Sequence, residues 1–113
     1  MELEVFKKND VAILKISGDV DLYSSPQVRN KILALLAKTQ KNLLVNLKDV
    51  SYMDSSGVAT LVEALQLTNK RGGKLRLYHL GPAIRDVFEL SRLDKVFDIC
   101  ETESQALNGI IAE

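Results

Sequence analysis

The chain has 113 residues, the length of one ordinary domain with a single hydrophobic core. Lysine plus arginine and aspartate plus glutamate number 15 each, so the formal net charge is zero. Proteins that hold nucleic acid carry clustered positive charge, and this balance therefore argues against a nucleic-acid partner. The most basic segment, residues 70–76, is expected at a helix end and a strand start, because cations favour the C-terminus of a helix.

Features typical of secreted, membrane and metal-binding proteins are missing from the sequence. The first residues are acidic, and no apolar segment typical of a secretory signal follows them. The longest apolar run, residues 32–37, is too short for membrane insertion. Cys100 is the only cysteine and His79 the only histidine, so we expect no disulfide, metal site or cofactor, and we interpret Cys100 as a buried residue. A cytoplasmic protein is favoured, and a monomer is expected because no exposed apolar stripe is visible.

The first part of the chain changes from strand-type to helix-type patterns. Residues 3–6 and 11–16 are short β-type runs, and the asparagine and aspartate between them suit the turn of an antiparallel hairpin. The sequence Gly-Asp-Val-Asp at residues 18–21 ends the second run. Ser25 followed by Pro26 predicts the start of a helix, with Ser25 as its capping residue. Apolar residues at positions 28, 32, 35 and 36 fall on one face of that helix.

The remaining elements alternate between strands and helices. An apolar run at residues 43–47 is typical of a central strand that is covered on both faces. Apolar residues at positions 58, 61, 62 and 65 recur at helical spacing, and the glycines at 72 and 73 end that helix. We further predict a strand at residues 74–77, a short helix that opens at residues 81–82, a last strand at 96–99 and a last helix at 103–111.

This order, ββαβαβαβα, predicts a single α/β domain over residues 1–113. We expect a mixed sheet of four to five strands, with an N-terminal antiparallel hairpin followed by parallel strands, and about four helices packed against it. Function in such sheets gathers at the carboxyl ends of the strands. Two polar loops, at residues 19–25 and 49–57, follow strand ends and therefore form the candidate site.

The sequence Asp54-Ser55-Ser56-Gly57 lies between a predicted strand and an amphipathic helix. One of its polar side chains can cap the helix by accepting backbone N–H bonds, which contributes about 0.5–2 kcal/mol. A serine at this place can also accept a phosphate, because the N-terminus of a helix tolerates negative charge. The two interpretations are compatible, and local physics leaves both open. Gly57 would allow a partner's backbone or a kinase loop to approach closely.

Residues 50–58, Val-Ser-Tyr-Met-Asp-Ser-Ser-Gly-Val, resemble the signature of the bacterial anti-sigma factor antagonists, which are STAS domains. The Gly-Asp-Val-Asp element at 18–21 and the segment Leu-Asp-Lys-Val-Phe at 93–97 are similar to further elements of that family. The resemblance extends over nearly the whole chain and implies a single STAS domain. Ala59 and Thr60 depart from the family pattern, in which a glycine is often seen, and this departure bears on the identity of the partner.

The resemblance implies a phosphorylation-switched binding protein and not an enzyme. In that family an anti-sigma factor with serine kinase activity binds the antagonist and phosphorylates the first serine after the aspartate, here Ser55. The unphosphorylated form captures the anti-sigma factor, and a PP2C-type serine phosphatase resets the switch. The partner-binding residues implied around the acceptor are Asp21, Tyr23, Ser24, Asp54, Ser56, Gly57 and Val58.

Other interpretations remain to be compared with this one. The aspartates at positions 19, 21, 49 and 54 could form a catalytic or metal-binding cluster, although loops between strands and helices commonly carry capping aspartates. A receiver domain would be phosphorylated on Asp49 or Asp54, but the Lys7-Lys8 pair and the hairpin fit that architecture poorly. A constitutive STAS-type subunit of a lipid transporter or signalling assembly, in which Ser55 is only a cap, stays open.

Overall fold

Strands of one mixed sheet form the centre of the protein in a computed structural model that describes residues 1–8, 10–38 and 41–110. The strands are β1 (Glu2–Lys8), β2 (Val11–Val20), β3 (Asn42–Met53), β4 (Leu75–Tyr78) and β5 (Asp98–Cys100). The helices are α1 (Ser25–Ala37), α2 (Ser55–Lys70), α3 (Pro82–Leu90) and α4 (Glu103–Leu107), and a 3-10 turn lies at Leu93–Lys95.

The five strands lie side by side in the order of the chain, β1-β2-β3-β4-β5. β1 runs antiparallel to β2, and every later neighbouring pair is parallel. The predicted α/β fold, with an antiparallel hairpin followed by parallel strands and about four helices, is therefore confirmed.

Side chains that alternate along the strands form apolar cores on both faces of the sheet. Leu14 and Leu43 are fully buried on the face that is covered by α1, α2 and α3. Their neighbours Ile13 and Leu44 are buried on the opposite face, which is covered by α4. Burial of each such side chain stabilises the fold by about 1.5–3 kcal/mol. The prediction of a central strand covered on both faces is confirmed for β3.

The first three strands run further than the sequence predicted, β1 by one residue at its start and two at its end. β2 continues past residue 16 to Val20, and β3 continues past residue 47 to Met53. Val20 pairs with Met53 at the end of the two strands. Two register shifts interrupt the pairing near Gly18, which has a φ of 99°. These irregularities break the alternating pattern on which the prediction depended. The predicted loop at residues 49–57 is therefore wrong, because β3 leads almost directly into α2.

The start of α1 and the buried face of α2 also differ from the prediction. The predicted cap Ser25 is the first residue of α1, and Ser24 holds the cap position without a capping side-chain bond. Pro26 lies in the first turn as predicted. In α2 the buried positions are 57, 60, 61, 64 and 68, whereas the residues at 58, 62 and 65 are half-buried. The helix ends before Gly72, whose φ of 73° suits a glycine at the end of a helix.

The bounds of the last strand and the last helix differ from those predicted. The predicted strand at 96–99 lies at Asp98–Cys100, because Phe97 is buried and packs edge-on against Phe88 at a centroid distance of 5.3 Å. The last helix ends at Leu107, and its predicted end at residue 111 lies outside the described residues, as does Asn9 of the predicted hairpin turn. His79 follows β4, and Cys100 is half-buried. Within the described residues, no helix has the length and apolar character needed to cross a membrane.

Candidate functional site

The candidate site lies where β2 and β3 extend past the end of β4. The last pair between β3 and β4 is Asn46 with Tyr78, whereas β3 continues beside β2 to Met53. The N–H of Asp54 then donates to the carbonyl oxygen of Val20 at 3.1 Å, which prolongs the contact by one residue. This extension carries two segments with candidate residues, namely the β2–α1 loop (residues 21–24) and the N-terminus of α2.

The carboxylate of Asp54 joins these two segments. Its Oδ1 accepts the N–H of Ser56 at 2.9 Å and the N–H of Gly57 at 3.3 Å, so it caps α2. Its Oδ2 accepts the N–H of Leu22 at 3.2 Å, across to the β2–α1 loop. The cap that the sequence assigned to one of the polar residues is therefore the aspartate. The same side chain also fixes the loop against the helix.

Ser55 is exposed as the first residue of α2, whereas Ser56 is half-buried. The carbonyl oxygen of Ser56 accepts a hydrogen bond from the hydroxyl of Thr60 at 3.0 Å within the helix. Because Asp54 supplies the capping bonds, the fold does not need the hydroxyl of Ser55 for that purpose. Ser55 is thus the more accessible of the two serines.

Asp21 holds the β2–α1 loop in shape. Its Oδ1 accepts the N–H of Tyr23 at 2.9 Å and the N–H of Ser24 at 3.0 Å. The Ser24 hydroxyl accepts the N–H of Asp21 at 2.9 Å and donates to the carbonyl oxygen of Asp19 at 2.8 Å. The Ser24 N–H lowers the pKa of the Asp21 carboxyl most; partial burial opposes this, and the Tyr23 N–H lowers the pKa further. Asp21 and Ser24 therefore shape the loop in which they were predicted to bind a partner.

Gly57 is buried, and packing inside the domain gives a reason for glycine that the sequence did not suggest. A Cβ at this position would lie 2.7 Å from Cγ of Met53 and 2.8 Å from Cγ1 of Val20, closer than real Cβ contacts. The missing side chain therefore lets α2 pack closely on the ends of β2 and β3. Gly57 is not part of the exposed surface, and the approach of a partner or kinase loop to it stays a prediction.

Two large apolar side chains project from the β2–α1 loop beside Asp54. Leu22 is 65% exposed and Tyr23 is 90% exposed. Exposed apolar side chains that lie together often mark protein interaction sites, and tyrosine is enriched at their centres. Tyr23 was among the predicted partner-binding residues, but Leu22 was not. Its signal in the sequence is its place beside Tyr23 in a loop too short to bury either residue.

Acidic side chains at this end of the sheet do not form a metal centre. The carboxylates of Asp21 and Asp54 are occupied by backbone N–H groups, and Asp49 pairs with Lys15 at 3.2 Å. Over residues 1–8, 10–38 and 41–110, no three His, Cys, Asp or Glu residues are grouped so that they could hold a metal ion. The geometry therefore assigns these aspartates to capping and pairing.

The packing of Gly57 predicts a loss of stability when a methyl group is added. Although alanine favours a helix by about 1 kcal/mol over glycine, we expect Gly57→Ala to lower the free energy of unfolding by about 1–3 kcal/mol because Met53 and Val20 must move. Gly81→Ala is the matched control, since a Cβ there meets no atom within 4 Å. Urea denaturation measures both variants, and equal free energies for the two would contradict this account of Gly57.

Comparison with known proteins identifies the family of the domain. The family model of the STAS domain matches residues 2–106. An anti-sigma-B factor antagonist from Bacillus subtilis (strain 168) is 37% identical over 92 residues, which are 81% of this chain and 83% of the relative. A solved anti-sigma factor antagonist from Mycobacterium paratuberculosis has a TM-score of 0.88 at 27% identity, covering 96% of this chain and 92% of its own. The phosphorylated form of the Bacillus cell fate determinant SpoIIAA has a TM-score of 0.75 at 22% identity, covering 97% and 100%.

These matches decide between the families that the sequence left open. The hairpin at the start of the sheet and the match of the STAS model over residues 2–106 argue against a receiver domain. Anti-sigma factor antagonists are regulatory proteins and not enzymes, so the prediction of a non-enzymatic protein is confirmed. The chain belongs to the anti-sigma factor antagonist family of STAS domains.

Proposed function

We propose that the unphosphorylated chain binds an anti-sigma factor with serine kinase activity, and that phosphorylation of Ser55 by this partner releases it. The observation that carries the proposal is an exposed serine at the first position of α2, next to a carboxylate that already caps the helix. Modification of Ser55 therefore leaves the bonds from Asp54 to Ser56 and Gly57 in place. Support for the partner comes from the Bacillus subtilis relative, an antagonist of an anti-sigma-B factor.

The phosphoryl transfer leaves the fold of the antagonist intact. The hydroxyl oxygen of Ser55 attacks the terminal phosphorus of ATP, its proton passes to a base of the kinase, and the bond to ADP breaks. The helix N-terminus attracts the new phosphate, which offsets its repulsion by Asp54. A Bacillus protein of the same fold has been solved in a phosphorylated form, which supports this tolerance. Hydrolysis of the phosphoserine ester by a PP2C-type phosphatase restores the serine and releases inorganic phosphate.

The phosphate acts on the partner through the surface beside Ser55. The exposed Leu22 and Tyr23 supply apolar contact area, and Asp21 and Ser24 shape the loop that presents them. A phosphate adds about 1.5–2 negative charges next to this area. An unpaired charge at an interface costs about 2–5 kcal/mol, whereas a hundredfold loss of affinity needs about 2.8 kcal/mol. One phosphate is therefore sufficient to release the partner.

Phosphorylation by the cognate kinase tests the acceptor. We expect mass spectrometry to find one phosphate on the wild type and on Ser56→Ala, and none on Ser55→Ala, because Ser55 is exposed and Ser56 is half-buried. A phosphate that persists in Ser55→Ala and is lost in Ser56→Ala would move the site. A wild-type chain that binds the kinase but gains no phosphate would favour a constitutive STAS subunit.

A charged mimic tests whether the phosphate acts on binding. We expect Ser55→Asp to bind the anti-sigma factor about a hundredfold more weakly in calorimetry, with its melting temperature unchanged, because a second acidic group lies beside the apolar contact area. Ser104→Asp is the matched control, since Ser104 is exposed in α4. Equal affinity of Ser55→Asp and the wild type would remove the electrostatic argument.

Two variants of Asp21 separate its charge from its role in the loop. Asparagine keeps the oxygen that accepts the N–H bonds of Tyr23 and Ser24, whereas alanine removes it. If the charge contacts the partner, Asp21→Asn and Asp21→Ala should both weaken binding, by about tenfold, which corresponds to about 1.4 kcal/mol. Wild-type affinity in Asp21→Asn would assign the residue to the loop shape alone, and a large loss of melting temperature in Asp21→Ala would mark it as structural.

A further inference from the structure

The two edges of the sheet are built differently. β5 has three residues and its Asp98 pairs with Arg76 at 2.7 Å, so little of this edge is open. β1 has seven residues, contains no proline, and keeps an unbroken register with β2. Within the part of the chain that the structure describes, no strand lies along the outer side of β1. Long regular edge strands present unpaired backbone groups and pair readily with another strand unless they are protected.

The charges of β1 are separated along the strand. Its first half carries Glu2 and Glu4, and its second half carries Lys7 and Lys8. Charges of one sign along the whole strand would repel a second copy in either direction. This arrangement repels a parallel copy, in which like charges lie opposite one another, and attracts an antiparallel copy. The edge is therefore complementary to itself in one direction only.

The exposed aromatic residue of β1 selects the register. Phe6 is 50% exposed, and the alternation of the strand places Glu4 and Lys8 on the same face. Antiparallel pairing centred on Phe6 places the two phenylalanines opposite each other. It also places Glu4 of each copy opposite Lys8 of the other, which gives two attractive contacts. Pairing centred on Val5 would instead place each Phe6 opposite Glu4.

We propose that β1 pairs with β1 of a second copy, antiparallel and centred on Phe6, so that one sheet continues through a dimer. This differs from the monomer expected from the sequence. The contact is short, so the dimer is weak and depends on concentration. β1 is not part of the Ser55 site, and antiparallel pairing directs the two sites toward opposite ends of the dimer.

Variants that reverse the charge of Glu4 or Lys8 test this register. Their association is measured by sedimentation equilibrium at protein concentrations between about 10 μM and 1 mM, which suit a weak interface. The wild type should form dimers as its concentration rises. Glu4→Lys alone and Lys8→Glu alone should each associate about tenfold more weakly, because both attractive contacts become repulsive. An equimolar mixture of the two variants should form heterodimers as well as the wild type does, because each lysine then faces a glutamate.

Three outcomes would overturn the proposal. The first is a wild type that stays monomeric over the whole concentration range. The second is a mixture of Glu4→Lys and Lys8→Glu that stays monomeric. The third is a Glu89→Lys variant whose association is weakened as much as that of Glu4→Lys. Glu89 is exposed in α3 and serves as the matched control. Glu4 faces Lys15 across β2, so circular dichroism must show that each variant is folded. Restored heterodimers would themselves require both variants to be folded.

Discussion

The two oxygens of one carboxylate hold the candidate site together. Oδ1 of Asp54 accepts N–H groups at the start of α2, and Oδ2 accepts the N–H of Leu22 in the β2–α1 loop. Backbone pairing of Val20 with Met53 brings the two segments together, and the Asp54 side chain adds a direct bond from the loop to the start of α2. Under the proposed function, this carboxylate holds the acceptor serine and the partner-binding loop in a fixed arrangement. The sequence places Asp54 before the serines, but only the fold reveals its second bond.

Much of the architecture could be predicted because its elements are strongly periodic. The hairpin, the parallel strands and the four helices were all predicted in the correct order. The ends of β2 and β3 could not be predicted, since register shifts near Gly18 interrupt the alternation of buried and exposed residues. The start of β5 was predicted two residues too early. Phe97 is apolar because it packs against Phe88, and it does not belong to the strand. Contacts between distant segments leave no local pattern.

The site shows the same division between local and long-range information. The exposure of Ser55 follows from its place at the start of a helix, which the sequence indicates. The packing role of Gly57 depends on Val20, which lies in a distant strand, and the sequence therefore did not predict it. Leu22 was missed because an isolated leucine in a loop has no periodicity. Its role in the site also depends on the bond between its N–H and Asp54, which no local pattern reveals.

The close packing at Gly57 has a consequence for how sequences of such chains are read. A descendant that no longer served as a kinase substrate would still need an aspartate to cap α2 and a glycine to admit Val20 and Met53. Both residues would then persist for the sake of folding, whereas the exposed Ser55 would be free to change. Folding alone is therefore sufficient to explain an aspartate and a glycine in this motif. Under the proposed function, the first serine is the position that distinguishes a phosphorylated chain from one that has kept only the fold.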